Sequence, residues 1–86
     1  MSPYAITFTR SARKELETLD AKAVKRIFPV IEMLAAEPRP QGVRKLQGER
    51  ALWRIRIGDY RVIYAINDPD RNVDIIAVRH RREAYR

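Results

Sequence analysis

The sequence lacks cysteine altogether and has a single histidine in 86 residues. Without cysteine, neither a disulfide framework nor a thiolate metal site can form, and one histidine is too few for a structural zinc site. No apolar run approaches the roughly 20 residues that span a bilayer, and the N-terminus has no signal-peptide pattern. We therefore expect a cytoplasmic protein that uses no metal or other cofactor and does not enter a membrane.

The composition is otherwise that of a folded protein. Hydrophobic residues make up 45% of the chain, and there is neither an internal repeat nor a low-complexity segment. A chain of this length can bury only a modest core. We therefore expect residues 1–86 to form one small domain.

Charge is distributed unevenly along the chain. Eighteen Lys and Arg against eleven Asp and Glu give a net charge of +7. Residues 1–43 hold seven basic and five acidic residues, whereas residues 44–86 hold eleven basic residues, ten of them arginine, and six acidic ones. Guanidinium groups form paired hydrogen bonds with phosphate oxygens, so this half predicts contact with nucleic acid. A merely solvated basic surface is the alternative.

The first half of the chain predicts a strand followed by two helices. Residues 4–8 alternate between apolar and other side chains, as in a strand. Thr9 or Ser11 can cap a first helix, and Asp20 can cap a second, whose apolar residues form a wide stripe. Pro29 lies inside that stripe and predicts a bend rather than a break. Because almost nothing separates the helices, they predict an antiparallel helical hairpin.

The second half changes to the periodicity of strands. Residues 37–42, rich in proline, end the second helix. Residues 52–57 and 60–66 alternate on either side of Gly58-Asp59, a typical two-residue hairpin turn. A turn at 67–70 precedes a third run, 73–78. The order β-α-α-β-β-β predicts an α+β fold, in which an antiparallel sheet of about four strands carries the N-terminal helical hairpin on one face.

The hairpin turn also determines which side chains share a face. Arg56 must oppose Arg61, and Arg54 must oppose Ile63, so the three arginines lie on one side of the sheet. Like charges directly opposed across strands destabilise a sheet by up to about 1 kcal/mol, a cost that a bound polyanion would offset. A solvated outer face is the simpler alternative. The other side is predicted to face the helices and comprises Trp53, Ile55, Ile57, Tyr60, Val62 and Tyr64.

The last eight residues form a second basic cluster. It begins with Arg79, His80, Arg81 and Arg82 and also contains Tyr85. Because the turn before the third run leaves its register open, alternation does not determine which of the first three joins the arginine side. A tail that serves only solubility is the alternative.

These patterns together resemble the RelE/ParE superfamily of bacterial toxin–antitoxin toxins, and the resemblance covers nearly the whole chain. It is specific in combination, although each motif alone is weak. The motifs are Arg44-Lys45-Leu46-Gln47-Gly48, Leu52-Trp53-Arg54-Ile55-Arg56-Ile57, Asp59-Tyr60-Arg61-Val62-Ile63-Tyr64 and Val78-Arg79-His80-Arg81-Arg82-Glu83-Ala84-Tyr85.

The resemblance implies an activity and roles for individual residues. RelE-like members are endonucleases that cut mRNA in the ribosomal A site. Arg54 and Arg56 stand where that branch carries two basic residues, often lysines. Arg61 matches its phosphate-gripping arginine, Arg81 its catalytic arginine and Tyr85 its base-stacking and catalytic tyrosine. Two departures are arginine in place of lysine at 54 and 56, and the short spacing between Arg81 and Tyr85. Candidate RNA-binding residues are Arg44, Lys45, Arg54, Arg79 and Arg82.

The resemblance also implies partners. An uninhibited nuclease of this kind would halt its host, so a cognate acidic antitoxin is expected to cover the basic face or displace the terminal segment. The RNA partners would be ribosome-bound mRNA and 16S rRNA. Operator DNA would be bound only through the antitoxin complex.

The expected chemistry is metal-independent attack by the RNA 2′-OH on the adjacent phosphate. Arg56 and Arg61 would stabilise charge on the phosphate oxygens. Arginine has a pKa above about 12, so Arg81 is better suited to stabilising charge than to donating a proton. His80, with an ordinary pKa near 6.5, is the hypothesised participant in proton transfer, and Tyr85 would stack on a base or share that role.

Two other functions use the same sequence features. A ParE-like protein would inhibit DNA gyrase without cutting RNA, and that branch typically lacks the combination of basic residues and terminal tyrosine. A non-catalytic nucleic-acid-binding module would bind in a salt-sensitive way and release no product.

Overall fold

The computed structural model describes residues 3–48 and 50–80 of the chain. Arg81, Arg82 and Tyr85 therefore lie outside the described residues. The elements follow in the order β1 (Ala5–Phe8), α1 (Arg10–Glu17), α2 (Ala21–Ala36), β2 (Arg44–Lys45), β3 (Leu52–Ile57), β4 (Tyr60–Asn67) and β5 (Asn72–His80).

The strands form one sheet in the order β1-β5-β4-β3-β2. The predicted α+β class is confirmed, but two details of the sheet were wrong. The described residues form five strands, because the two-residue β2 adds to the edge of β3. The sheet is mixed, because β1 pairs parallel with β5, while β3, β4 and β5 pair antiparallel. Neither detail leaves a periodic signal: β2 is too short, and β1 pairs with a strand from the other end of the chain.

Both helices begin at side-chain caps. Thr9 accepts a hydrogen bond from the Ala12 N–H at 3.1 Å, and Asp20 accepts one from the Ala23 N–H at 2.8 Å. These caps satisfy amide groups that the first helical turn leaves without partners. Pro29 lies inside α2, which continues to Ala36 without a break. No helix within 3–48 and 50–80 has the length and apolar character needed to cross a membrane.

The core lies between the helices and one side of the sheet, here called the helix face. Ile27, Ile31 and Leu34 of α2 are at most 1% exposed and belong to one cluster with the inward residues of β3, β4 and β5. The sheet's other side, which the helices do not cover, is here called the open face. This division follows from the period-two alternation of each strand.

A β-bulge interrupts the alternation in β5. Ile63 of β4 pairs with Ala77, but the next residue, Tyr64, pairs with Ile75, so Ile76 is an extra residue. Such a residue moves the side chains that follow it to the opposite face. The Thr9 hydroxyl donates a hydrogen bond to the Ile76 carbonyl at 3.0 Å. The residue that caps α1 thus also secures the bulge.

Candidate nucleic-acid interface

Three arginines stand side by side across the sheet near the β3–β4 turn. Arg56 pairs with Arg61, and Arg61 pairs with Arg79 on its other side. Directly opposed residues share a face and have Cβ atoms about 4.5–5.5 Å apart. These three residues, here called the arginine row, therefore span about 10 Å of the open face.

Two more arginines extend the basic surface toward the sheet edge. Arg54 lies two residues before Arg56 on β3 and so shares its side. Arg44 of β2 pairs directly with Arg54 and therefore lies on the same side. The predicted placement of Arg54, Arg56 and Arg61 on one face agrees with the strand pairing, and that pairing adds Arg44 and Arg79 to the same face. A basic surface of this extent can follow several phosphates of one strand.

Small and apolar residues lie beside the arginines. Ile63 pairs with Ala77 on the open face, and Ala77 is only 3% exposed. Arginine stems cover apolar surface while their charged ends remain in water. The open face is therefore a basic surface over an apolar base, and not a fully solvated one.

Glu15 of α1 holds the last member of the arginine row. Its Oε2 atom lies 3.2 Å from Arg79 Nε, and its Oε1 accepts a hydrogen bond from the Val78 N–H at 3.3 Å. That amide is on the part of β5 beyond Ile75, where β1 has ended and no longer pairs with it. Glu15 thus accepts the backbone hydrogen bond that a neighbouring strand would otherwise accept, and it holds the guanidinium group of Arg79. Sequence reasoning did not find this role, because helix periodicity does not reveal what an outward carboxylate touches.

Lys45 and His80 lie on the other side of the sheet. Lys45 pairs with Trp53, and its ammonium lies 6.0 Å from the centre of the indole ring. His80 pairs with Tyr60, and the two rings meet edge to face with centres 5.2 Å apart. Of the residues whose side the sequence left open, Arg79 joins the arginine face and His80 does not. The bulge at Ile76 decides this.

Arg26 of α2 reaches the turn that ends the arginine row. Gly58 has a φ of +60°, and a Cβ added there would lie 2.5 Å from an Arg26 terminal nitrogen. Glycine at this position therefore serves both the left-handed turn and the close approach of a guanidinium. Arg26 was not among the predicted site residues.

The opposite end of the sheet uses its arginine differently. Arg39 donates to both oxygens of Asp68, at 3.3 and 2.9 Å, and Tyr4 donates to the same carboxylate at 2.6 Å. The hydrogen bonds from Arg39, and secondarily from Tyr4, lower the pKa of Asp68, while the bond to Asp68 raises the pKa of Tyr4. The Arg39 guanidinium also lies 5.2 Å from the centre of the Trp53 ring. This cluster ties the segment after α2 to the β4–β5 turn.

Tyr64 connects the core to the segment after α2 at this end of the sheet. It is fully buried, and its hydroxyl donates to the Pro38 carbonyl at 2.7 Å. Burial raises the pKa of Tyr64 to about 12. Within 3–48 and 50–80, no group of three or more His, Cys, Asp or Glu side chains could hold a metal ion.

Comparison with known proteins identifies the family. A family model described as the ParE toxin of type II toxin–antitoxin systems matches residues 6–85. Toxin RelE of Mycobacterium tuberculosis is 34% identical over 85 residues, which cover 98% of this chain and 88% of that protein. Toxin RelG of the same organism is 34% identical over 86 residues and covers 98% of each.

Solved structures agree with the sequence matches. A chain of the RelBE2 toxin–antitoxin complex from M. tuberculosis has a TM-score of 0.81 and 32% identity, covering 92% of this chain and 99% of that one. A chain of the archaeal RelE–RelB complex from Pyrococcus horikoshii has the same TM-score and identity, covering 92% and 96%. The chain belongs to the ParE toxin family, within the RelE/ParE superfamily of type II toxin–antitoxin toxins.

Proposed function

We propose that this protein is a RelE-like toxin that cleaves messenger RNA on the ribosome without a metal ion. The observation that carries the proposal is the arginine row, in which Arg56, Arg61 and Arg79 stand in register across three strands. Relatives named RelE and RelG support the same branch of the superfamily. Like charges that oppose one another across strands disfavour the sheet by up to about 1 kcal/mol, and an RNA phosphate would offset that repulsion.

The proposed reaction is an intramolecular transesterification at one phosphodiester of the RNA. The 2′-oxygen forms a bond to the adjacent phosphorus and loses its proton, while the bond from phosphorus to the 5′-oxygen breaks and that oxygen gains a proton. The products are a 2′,3′-cyclic phosphate and a 5′-hydroxyl. Charge gathers on the phosphate oxygens in the transition state, and preorganised donors from Arg56 and Arg61 would stabilise it.

The proton transfers would involve residues near the end of β5. Arg81 would add positive charge, and Tyr85 would stack on a base or exchange a proton; both lie outside the described residues. His80 is on the helix face, so a part in proton transfer would require the RNA to pass around the end of the sheet. Arg54, Arg44 and the other basic candidates would bind the backbone.

The proposed dependence on the ribosome has a physical reason. Arginines stabilise charge but do not by themselves align the 2′-OH with the bond that breaks. A host that bends the message can supply this alignment, which is worth several kcal/mol. Free RNA is therefore expected to be cut poorly.

The proposed protein partner is a cognate antitoxin. The solved relatives include toxin–antitoxin complexes from M. tuberculosis and P. horikoshii. An acidic antitoxin would complement the net charge of +7 and compete with RNA for the arginine row.

Mapping of cut sites on ribosome-bound message tests the proposal. The wild type should produce discrete cuts with 2′,3′-cyclic phosphate ends, and Arg61→Gln should not. Arg10→Gln is the matched control, because Arg10 is an exposed residue in the first turn of α1, where a positive charge opposes the helix dipole. Intact message in the presence of folded wild-type protein would contradict the proposal.

Inhibition of DNA gyrase is the second candidate function, because the matching family model carries the ParE description. It requires no cleavage and no arginine row. A supercoiling assay with the same protein preparation separates the two: inhibition of gyrase with intact message favours the ParE-like function, and message cleavage without inhibition favours the RelE-like one.

A further inference from the structure

A cavity of about 440 Å³ lies on the helix face at the end of the sheet that carries the arginine row. Its lining combines four kinds of side chain. Leu19 and Val78 are apolar, Tyr60 and His80 are aromatic, Lys14 and Glu15 are charged, and Thr18 is polar. Aromatic rings next to a positive charge suit a flat heteroaromatic ring that carries a phosphate.

The cavity is adjacent to the arginine row although it opens on the other side of the sheet. Tyr60 pairs with His80, and the neighbouring pair in the same two strands is Arg61 with Arg79. Neighbouring pairs are one residue apart along a strand, a rise of about 3.3 Å, and point to opposite faces. The Tyr60–His80 pair is nearer the strand ends. A ligand that passes around this end of the sheet can therefore contact both pairs.

The carboxylate in the lining does not repel an anion strongly. Glu15 accepts from the Val78 N–H at 3.3 Å and pairs with Arg79 Nε at 3.2 Å, so its charge is compensated inside the protein. Lys14, an exposed residue of α1, adds a positive charge to the same cavity.

We propose that this cavity is a nucleobase subsite, which holds one base of the RNA strand whose phosphates contact the arginine row. The inference rests on the proposed function and adds to it a second contact on the same strand. Because the Tyr60 and His80 rings are perpendicular, the base would stack on one of them and meet the other edge to face, with Lys14 near its phosphate. Stacking on aromatic rings accepts any base, so the subsite fixes the position of the strand and not its sequence.

The test is binding of a single-stranded oligonucleotide in which every 2′-OH is replaced by hydrogen, so that it cannot be cleaved. Abasic sites are introduced one position at a time, and Kd is measured at low salt with the full chain. In the wild type, one position should show a loss of roughly 5- to 150-fold, the range expected for losing one base–aromatic stack. In Tyr60→Leu, an abasic site at that position should weaken binding no more than an abasic site elsewhere.

Two further pairs of variants separate stacking from other roles and do not depend on the folding of Tyr60→Leu. His80→Phe keeps an aromatic ring and should retain most of the affinity, whereas His80→Gln should weaken it; a role in proton transfer would make both variants equally inactive without changing Kd. Lys14→Gln should weaken binding more than Lys25→Gln, since Lys25 is exposed on α2 and does not line the cavity.

The outcomes distinguish this inference from the proposed function. Oligonucleotide binding that requires Arg61 but shows no position-dependent abasic effect would overturn the subsite and leave the nuclease proposal intact. Neither binding nor message cleavage by the wild type would overturn both. A flat abasic scan, together with failure of Tyr60→Leu to bind the proposed cognate antitoxin, would assign the cavity to an antitoxin side chain instead.

Discussion

The two ends of the sheet use arginine in opposite ways. At the β4–β5 turn, Arg39 is held by both oxygens of Asp68 and lies against the Trp53 ring. At the β3–β4 turn, Arg56 and Arg61 oppose one another across two strands, and a third arginine stands beside them. The first arrangement satisfies a guanidinium inside the protein. The second concentrates positive charge where a phosphate strand can reach it.

This contrast shows that the count of arginines is less informative than their register. An arginine paired with a carboxylate contributes to stability and little to the external field. Arginines that share one face add their charges to the external field, although Arg79 at this end also pairs with Glu15. The largest expected difference between the two ends is therefore in activity, and smaller differences are expected in stability.

Replacing one arginine at each end should show the largest difference between the two ends of the sheet. Arg61→Gln should lower the rate of message cleavage on the order of 10²–10³-fold, because it removes a donor to the transition state. Arg39→Gln should leave the rate of the folded protein near that of the wild type and lower its stability, with about 0.5–1 kcal/mol from the ring contact alone. Single-turnover cleavage and urea unfolding measure the two. Equal losses of activity would show that the ends are not specialised.

Removing the Tyr64 hydroxyl should test how much this buried hydrogen bond stabilises the end of the sheet at the β4–β5 turn. Tyr64→Phe leaves the Pro38 carbonyl without its hydrogen bond and should lower the free energy of unfolding by about 1–3 kcal/mol. Because burial raises the pKa of Tyr64 to about 12, its contribution is present below the ordinary pKa near 10 and is lost as pH rises toward 12. Urea unfolding between pH 8 and 11 should therefore show a steeper alkaline loss in the wild type than in the variant.

Glu15 should also distinguish the two ends, because it is a carboxylate at the end of the sheet that carries the arginine row. Glu15→Ala removes both the Val78 and the Arg79 contacts and should lower cleavage about threefold to fivefold, as expected for a partly exposed pair. Glu15→Gln keeps an acceptor for the Val78 N–H and should lose less. If Glu15 acts through Arg79, the Ala variant should have no further effect in an Arg79→Gln background. Additive losses in the double variant would argue against that positioning role.

The dependence of the unfolding free energy on acidic pH should show the smallest effect. Hydrogen bonds from Arg39 and Tyr4 lower the pKa of Asp68, so its contribution to stability is present above the ordinary pKa near 4 and is lost as pH falls below it. Asp68→Asn should therefore reduce the slope of unfolding free energy against pH between pH 4 and 2.5. An unchanged slope would mean that the contact does not persist in solution.

The parts of the fold that follow from local patterning could be predicted from the sequence. The Gly58-Asp59 turn predicted the pairing of Arg56 with Arg61 and of Arg54 with Ile63, and both are confirmed. Asp20 was correctly predicted as the cap of α2, and Thr9, one of the two residues predicted to cap α1, is the one that does so. In each case, the determining residues are a few positions apart in the chain.

The remaining features depend on contacts between distant residues. The parallel pairing of β1 with β5 joins the two ends of the chain, and no periodicity encodes it. Glu15 could be predicted as an outward helix residue, but its contact with Val78 and Arg79 follows only from the ending of β1 opposite Ile75. Roles at Arg81 and Tyr85 stay predictions.

The additional residue at Ile76 has a consequence for how homologous chains should be aligned. Simple alternation from Val73 would place Arg79 among the helix contacts and His80 with the other arginines, the reverse of the observed arrangement. Deleting Ile76 would leave Ala77 opposite Ile63 and Arg79 opposite Arg61, whereas regular pairing of Ile76 with Ile63, with all residues kept, would exchange the two. An alignment that ignores the extra residue therefore assigns these two side chains to the wrong faces, and a homologue without it should carry the matching arginine one position earlier in the strand.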